Sequence, residues 1–241
     1  MHLAALQTPR TPALQARVLA RQRRLHAQFR QVDPAGQLMA YRDTQFVVSP
    51  TVFWPSDDSK PLVQHWEIMP GERVLDLCTG SGVIAVMAAY AGARTVLALD
   101  KHPAAVHAAT KHAELHRCAG VIEVRESDLF AAVAPGETFE VMTMHPPYTP
   151  HLASDHVEAS TWEWEGHFAL HQRFFADVQQ FLTPGGRIYL GQASFGPLAR
   201  VQAFATQAGF AIRLIGSTHV ETELPRTSYA FQRTPRRSGR I

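Results

Sequence analysis

The chain has 241 residues, 46% of them hydrophobic and 18% charged, enough for one substantial core with a small appendage. No apolar run reaches the length of a membrane span, so the expectation is a soluble protein with no membrane partner. A formal net charge of +2 argues against a general polyanion binder.

The first element is arginine-rich. Arg10, Arg17, Arg21, Arg23, Arg24 and Arg30 precede the first acidic residue, Asp33. Such a start can be a transit peptide. Here Leu14, Val18, Leu25 and Phe29 recur at helical spacing, which favours an amphipathic helix packed on a domain. Residues 1–45 therefore read as an N-terminal helical cap and an irregular lead-in, and residues 46–241 as one domain. A second arginine group, Arg233, Arg236, Arg237 and Arg240, closes the chain. No aromatic-basic motif interrupts the arginines, so no nucleic-acid footprint is read from them.

From residue 73 onward strand and helix alternate. The predicted strands are Arg73–Cys78, Thr95–Asp100, Val121–Glu126, Phe139–Met144, Arg187–Gly191, Phe210–Ile215 and Thr227–Gln232. Predicted helices cover Val83–Ala91, Pro103–Arg117, His167–Leu182 and Pro197–Ala208. Alternation of this kind predicts a parallel sheet with helices on both faces. The last two strands have only a loop between them, so they should pair antiparallel. Two cysteines, Cys78 and Cys118, form neither a disulfide framework nor a metal-ligand spacing, and suit a reducing cytoplasm.

Val74-Leu75-Asp76-Leu77-Cys78-Thr79-Gly80-Ser81-Gly82 is an apolar strand ending in a glycine-rich turn before a helix. Glycines permit a tight turn and close approach of a ligand, and the helix start offers free N–H groups. Asp100 closes the next strand, where an acid can hold ribose hydroxyls. Gly80-Ser81-Gly82-Val83-Ile84-Ala85 also matches the dinucleotide fingerprint, so the glycines alone leave a nicotinamide enzyme open.

Asp76, four residues before Gly80, gives the D-x-x-x-G-x-G pattern that resembles the first motif of S-adenosylmethionine methyltransferases. The fourth strand ends in Met144-His145-Pro146-Pro147-Tyr148. This resembles the N-P-P-Y signature of N-methyltransferases that act on planar amino groups, among them HemK-type protein-glutamine methyltransferases and some adenine and guanine methyltransferases. Pro55-Ser56-Asp57-Asp58-Ser59 resembles the P-x-x-[DE]-[ST] stretch of the HemK-like proteins. The resemblance covers about residues 45–195. It implies a class I fold, an α/β Rossmann-like seven-stranded and mostly parallel sheet with a terminal antiparallel hairpin. The implied cofactor is S-adenosylmethionine, held by Asp76, Cys78, Gly80, Gly82, Asp100, Lys101 and Asp128, with Asp58 and Ser59 nearby. Asp128 matches the acid that meets the adenine amine in that family, and by position alone it is equally a capping aspartate.

The departure from the family is His145 in place of asparagine. A carboxamide offers an oxygen with two lone pairs, whereas a neutral imidazole offers one acceptor nitrogen and one N–H. Two readings stand: a general base that titrates near neutral pH, or a replacement acceptor with the family chemistry kept. His145 and Tyr148 are the catalytic candidates, with Pro146, Pro147, Trp54, Trp164 and His167 lining the substrate. His151, His156, His167 and His171 cluster in sequence on the ligand side, as do Trp162, Phe168 and Phe174. No carboxylate or cysteine completes a metal motif among the histidines, so no metal is expected. His102, His107, His112 and His116 fall along one helix without an assigned role.

The expectation is methyl transfer to a nucleophile of a small molecule or amino-acid-like group. Alternatives are a protein-glutamine or nucleic-acid base substrate, transfer or cyclisation of the cofactor's aminocarboxypropyl arm, and a cofactor-binding module without catalysis.

Overall fold

The computed structural model describes residues 11–50, 52–55, 59–147, 169–193, 198–218 and 226–233. It opens with α1 (Pro12–Gln31), then a hairpin of β1 (Gln37–Tyr41) and β2 (Thr44–Val48). A short helix α2 (Lys60–His65) leads into the alternating part: β3 (Arg73–Leu77), α3 (Val83–Tyr90), β4 (Thr95–Asp100), α4 (Pro103–Leu115), β5 (Ile122–Glu126) and β6 (Phe139–Met144). After α5 (Ala169–Asp177) come β7 (Leu182–Ala193), α6 (Leu198–Gln207), β8 (Phe210–Thr218) and β9 (Arg226–Arg233).

The main sheet has seven strands in the order β5-β4-β3-β6-β7-β9-β8. β5 through β7 run parallel, and β9 pairs antiparallel with both β7 and β8. This is the predicted Rossmann-like sheet with its terminal hairpin. The hairpin β1–β2 is an addition: residues up to 45 read as irregular lead-in, and no strand is predicted before residue 73. Its strands are only five residues each and alternate weakly, with Leu38 and Val47 exposed, which hides the period-2 signal.

Alternation within the parallel strands sorts side chains onto two faces. Leu75, Leu77, Leu97, Leu99, Met142 and Met144 join Phe174, Phe175 and Val201 of α5 and α6 in one core cluster. Val74, Val96, Ala98 and Val141 join α2, α3, Tyr41 and Phe46 in the other. Each such side chain contributes roughly 1.5–3 kcal/mol by leaving water. The chain enters at β3, runs outward to β5, then returns to β6 on the other side of β3. The crevice outside the carboxyl ends of β3 and β6 is thus the topological switch point, where open α/β sheets bind ligands. Among the described residues no helix is long and apolar enough to cross a membrane.

Candidate active site

The loop after β3 is held from within. Asp76 is fully buried. Its Oδ2 accepts from the Thr79 hydroxyl at 2.6 Å and its Oδ1 from the Thr143 hydroxyl of β6 at 2.7 Å. The Ala85 amide in the first turn of α3 also bonds to it. Burial pushes its pKa up to about 7 against the pull of these donors. Asp76 therefore shapes the loop, a capping role, and ties β3 to β6. Cys78 and Gly82 both take left-handed backbone, with φ of 56° and 77°. At Gly82 a Cβ would come within 2.9 Å of the Ala109 Cα, so glycine is needed for both conformation and the close approach of α4.

Asp100 ends β4 with its two oxygens turned back to the loop region. Oδ2 accepts from the Gly80 amide at 2.9 Å and Oδ1 from the His102 amide at 3.0 Å. Burial raises its pKa, partly offset by those amides. Cys78, Asp100, Lys101, Asp128, Pro147 and Leu170 line one cleft. Five expected ligand residues thus meet at the switch point. Burial also raises the Cys78 thiol pKa, so it stays a neutral wall of that cleft. Carboxylate acceptors beside a turn of backbone N–H groups are the donor set that a nucleoside with an amino-acid arm requires.

Asp128 is half-exposed and pairs with Arg173 of α5 at 2.8 Å. The arginine had no sequence signal, because α5 follows a long stretch without recognisable periodicity. Ser59 is buried and its hydroxyl lies 2.8 Å from the Tyr41 hydroxyl, which fastens the hairpin to the segment before α2. Trp54 stacks on Phe29 of α1, with centroids 3.9 Å apart and planes 9° apart. That places it at the joint between α1 and the domain. Asp58, Tyr148, Trp164 and His167 lie outside the described residues, as do His151 and His156. His171 is buried in α5, and burial lowers its pKa to about 4.

His112, without a role in the sequence, is a second fastener. Its Nδ1 lies 2.6 Å from the Ser81 carbonyl and its Nε2 accepts from the Val47 amide at 2.9 Å. These partners fix the tautomer with the proton on Nδ1. One buried imidazole thereby joins the cofactor loop to β2. Phe46 packs against it edge-on, at 5.0 Å between centroids.

His145 follows the last residue of β6, with Pro146 buried and Pro147 on the cleft wall. Its imidazole lies back against Gly191 of β7, where an added Cβ would meet the ring Cδ2 at 2.6 Å. Burial lowers its pKa to about 4, so the ring is neutral at physiological pH. A second hollow, at the amino ends of the parallel strands, includes Arg73, Glu123 and Glu137. Those charges are paired, Arg73 with Glu140 and Arg125 with Glu123 and Glu137, and serve the framework.

The family model described as methyltransferase small domain matches residues 44–208, from β2 to the end of α6. The chain belongs to that family. It is an S-adenosylmethionine-dependent methyltransferase, and the cleft at β3 and β4 suits that cofactor. The release factor glutamine methyltransferase of Burkholderia pseudomallei is 33% identical over 224 residues, covering 84% of this chain and 76% of the relative. That of Koribacter versatilis is 33% identical over 178 residues, covering 68% and 62%. Among solved structures, a Thermus thermophilus 16S rRNA N2 G1207 methyltransferase with AdoMet and guanosine superposes with a TM-score of 0.60 at 18% identity, covering 82% of this chain and 50% of that one. The E. cuniculi Mtq2–Trm112 complex, responsible for methylating the eRF1 termination factor, gives 0.57 at 19%, covering 76% and 99%. These two likenesses carry the fold.

The comparisons correct one expectation. The methyltransferase was expected to act on a small molecule, whereas the relatives at 33% identity are named for methylating glutamine in a protein. The histidine at position 145 had left both a general base and a replacement acceptor open.

Proposed function

We propose that this methyltransferase transfers the methyl group to the side-chain amide nitrogen of a glutamine in a protein substrate, as its release-factor-modifying relatives do. What carries this reading is the 33% identity to release factor glutamine methyltransferases, together with an acceptor-bearing side chain, His145, at the end of β6 two residues before Pro147 of the cleft wall; burial lowers the pKa of its ring. A ring held far below its ordinary pKa is a poor base at pH 7, and a good hydrogen-bond acceptor. An amide nitrogen needs an acceptor to orient its N–H, and the family's asparagine supplies one from a carbonyl. His145 supplies one from a ring nitrogen.

Asp100, with Gly80 beside it, would hold the ribose end of the cofactor, and Asp128 the adenine amine. Asp76 would act indirectly, by keeping the loop in shape. When bound, the cofactor supplies an electrophilic methyl group. The protein's part would be alignment: as the resemblance of its H-P-P-Y stretch to N-P-P-Y implies, His145 and the Pro146 carbonyl would receive the two amide hydrogens and Tyr148 would stack on the amide, which aims the nitrogen at the methyl group. The extra proton of the methylated nitrogen is strongly acidic and passes to water without a dedicated base.

The test is direct. The purified protein with methyl-labelled S-adenosylmethionine should label a release factor, or a glutamine peptide cut from one, on a single glutamine located by fragmentation mass spectrometry. Replacing that glutamine by glutamate should abolish labelling. Labelling that survives this replacement would overturn the assignment.

A further inference from the structure

His145 and Gly191 are neighbours on adjacent parallel strands. β6 and β7 pair with Met144 opposite Leu190, so the next step brings residues 145 and 191 side by side. Gly191 is buried, and its backbone needs no positive φ. Its lack of a side chain is therefore not explained by conformation. It is explained by the ring beside it. A Cβ at 191 would stand 2.6 Å from Cδ2, 3.1 Å from Cγ and 3.2 Å from Nε2 of His145. Real Cβ contacts do not go below about 3.0 Å, because repulsion rises steeply inside van der Waals contact.

The ring has little freedom to yield. His145 precedes Pro146, and a residue before proline is confined to extended backbone. Pro146 is buried and Pro147 forms the cleft wall, so the strand exit is stiff. A methyl group at 191 could be relieved only by a different rotamer, which swings the imidazole off β7.

We propose that Gly191 is a positioning residue for His145: its missing side chain is the seat that lets an imidazole occupy the substrate end of β6. The two residues form one unit, and the histidine at 145 depends on the glycine at 191. This deepens the amide-acceptor reading and rests on it for its catalytic meaning, but the seat itself is independent of what the substrate is.

The experiment needs no substrate. His145 is identified by proton–nitrogen NMR of the imidazoles through the signal lost in His145→Ala. In the parent protein its ring resonances should stay put from about pH 8 down to about pH 5.5, as for a ring held neutral by burial. In Gly191→Ala the displaced ring should titrate within that range. Thermal melts complete the cycle. Gly191→Ala should lower Tm by roughly 3–10 °C in the parent, the usual range for overpacking in a chain of this size, and by less than about a third of that in the His145→Ala background. Full melting loss in both backgrounds would overturn the proposal, because the methyl would then be clashing elsewhere. So would an unmoved His145 titration in Gly191→Ala. A protein that passes both tests yet methylates no glutamine would refute the proposed substrate and leave the seat standing.

Discussion

The two strand ends that make the site hold their key side chains by different physics. At β3 and β4, Asp76 and Asp100 are buried carboxylates whose oxygens are taken by two hydroxyls and three backbone amides. At β6, the His145 ring packs on the face of Gly191 that carries no Cβ, and two prolines follow it in the chain. Hydrogen-bonded carboxylates make a rigid cradle, and removing one strands several buried donors at once. A ring held by packing can be exchanged for another acceptor at modest cost, provided the volume is kept. The cofactor half should therefore tolerate almost no substitution, and the substrate half should tolerate chemically equivalent ones.

The largest expected effect is at Asp100. Asp100→Ala frees the Gly80 and His102 amides and deletes the proposed ribose acceptor, and calorimetry should show S-adenosylmethionine affinity falling by roughly a hundredfold or more. A loss under about fivefold would break the contrast between the halves.

Asp76 sharpens the contrast through pH. Its folded pKa of about 7 lies above the ordinary carboxylate value of 3.8. A raised carboxylate pKa means the folded state binds the proton more tightly, so this group's stabilisation is present at low pH and is lost as pH rises through about 7. Asp76→Asn keeps a neutral side chain and should remove that slope. The Tm difference, parent minus variant, should fall between about pH 4 and pH 8, and a flat difference would show the carboxylate already ionised in the folded state.

His112→Phe should have a smaller effect, destabilising the protein by about 1–3 kcal/mol by leaving the Val47 amide without its acceptor. In the parent, burial lowers the His112 pKa below its ordinary 6.5. Its contribution is thus complete above about pH 6.5 and declines as pH falls, so the penalty measured by urea unfolding should shrink on acidification. The smallest effect is expected at Arg173. Its pair with Asp128 is about half exposed on both sides and is worth at most about 1 kcal/mol. Arg173→Ala should change cofactor affinity by no more than about fivefold.

The cofactor half was legible in the sequence because its signals are local. Asp76, Gly80, Gly82 and Asp100 sit at fixed spacings on a strand, a turn and the next strand. The strands themselves announced their ends through apolar runs broken by glycine and proline. What escaped was set by tertiary contact. Gly191 carries no local signal, since its meaning depends on a ring 46 residues earlier in the chain. Arg173 and His112 likewise gain their roles only once α5 and α4 are packed. Trp54 was read from its position near the motif as lining the substrate, and its stack on Phe29 of α1 had no local signal. His145 was visible as a departure from the family pattern, whereas its protonation depends on burial that no spacing reveals.

The measurement that bears most directly on the central claim is the pH–rate profile of parent and His145→Asn on a glutamine peptide. If His145 is a neutral acceptor, the asparagine variant should retain at least about a tenth of the parent rate, and neither profile should show a limb near pH 6.5. A variant slower by a hundredfold or more, together with a parent limb near pH 6.5 that the variant lacks, would contradict the account and make His145 the general base.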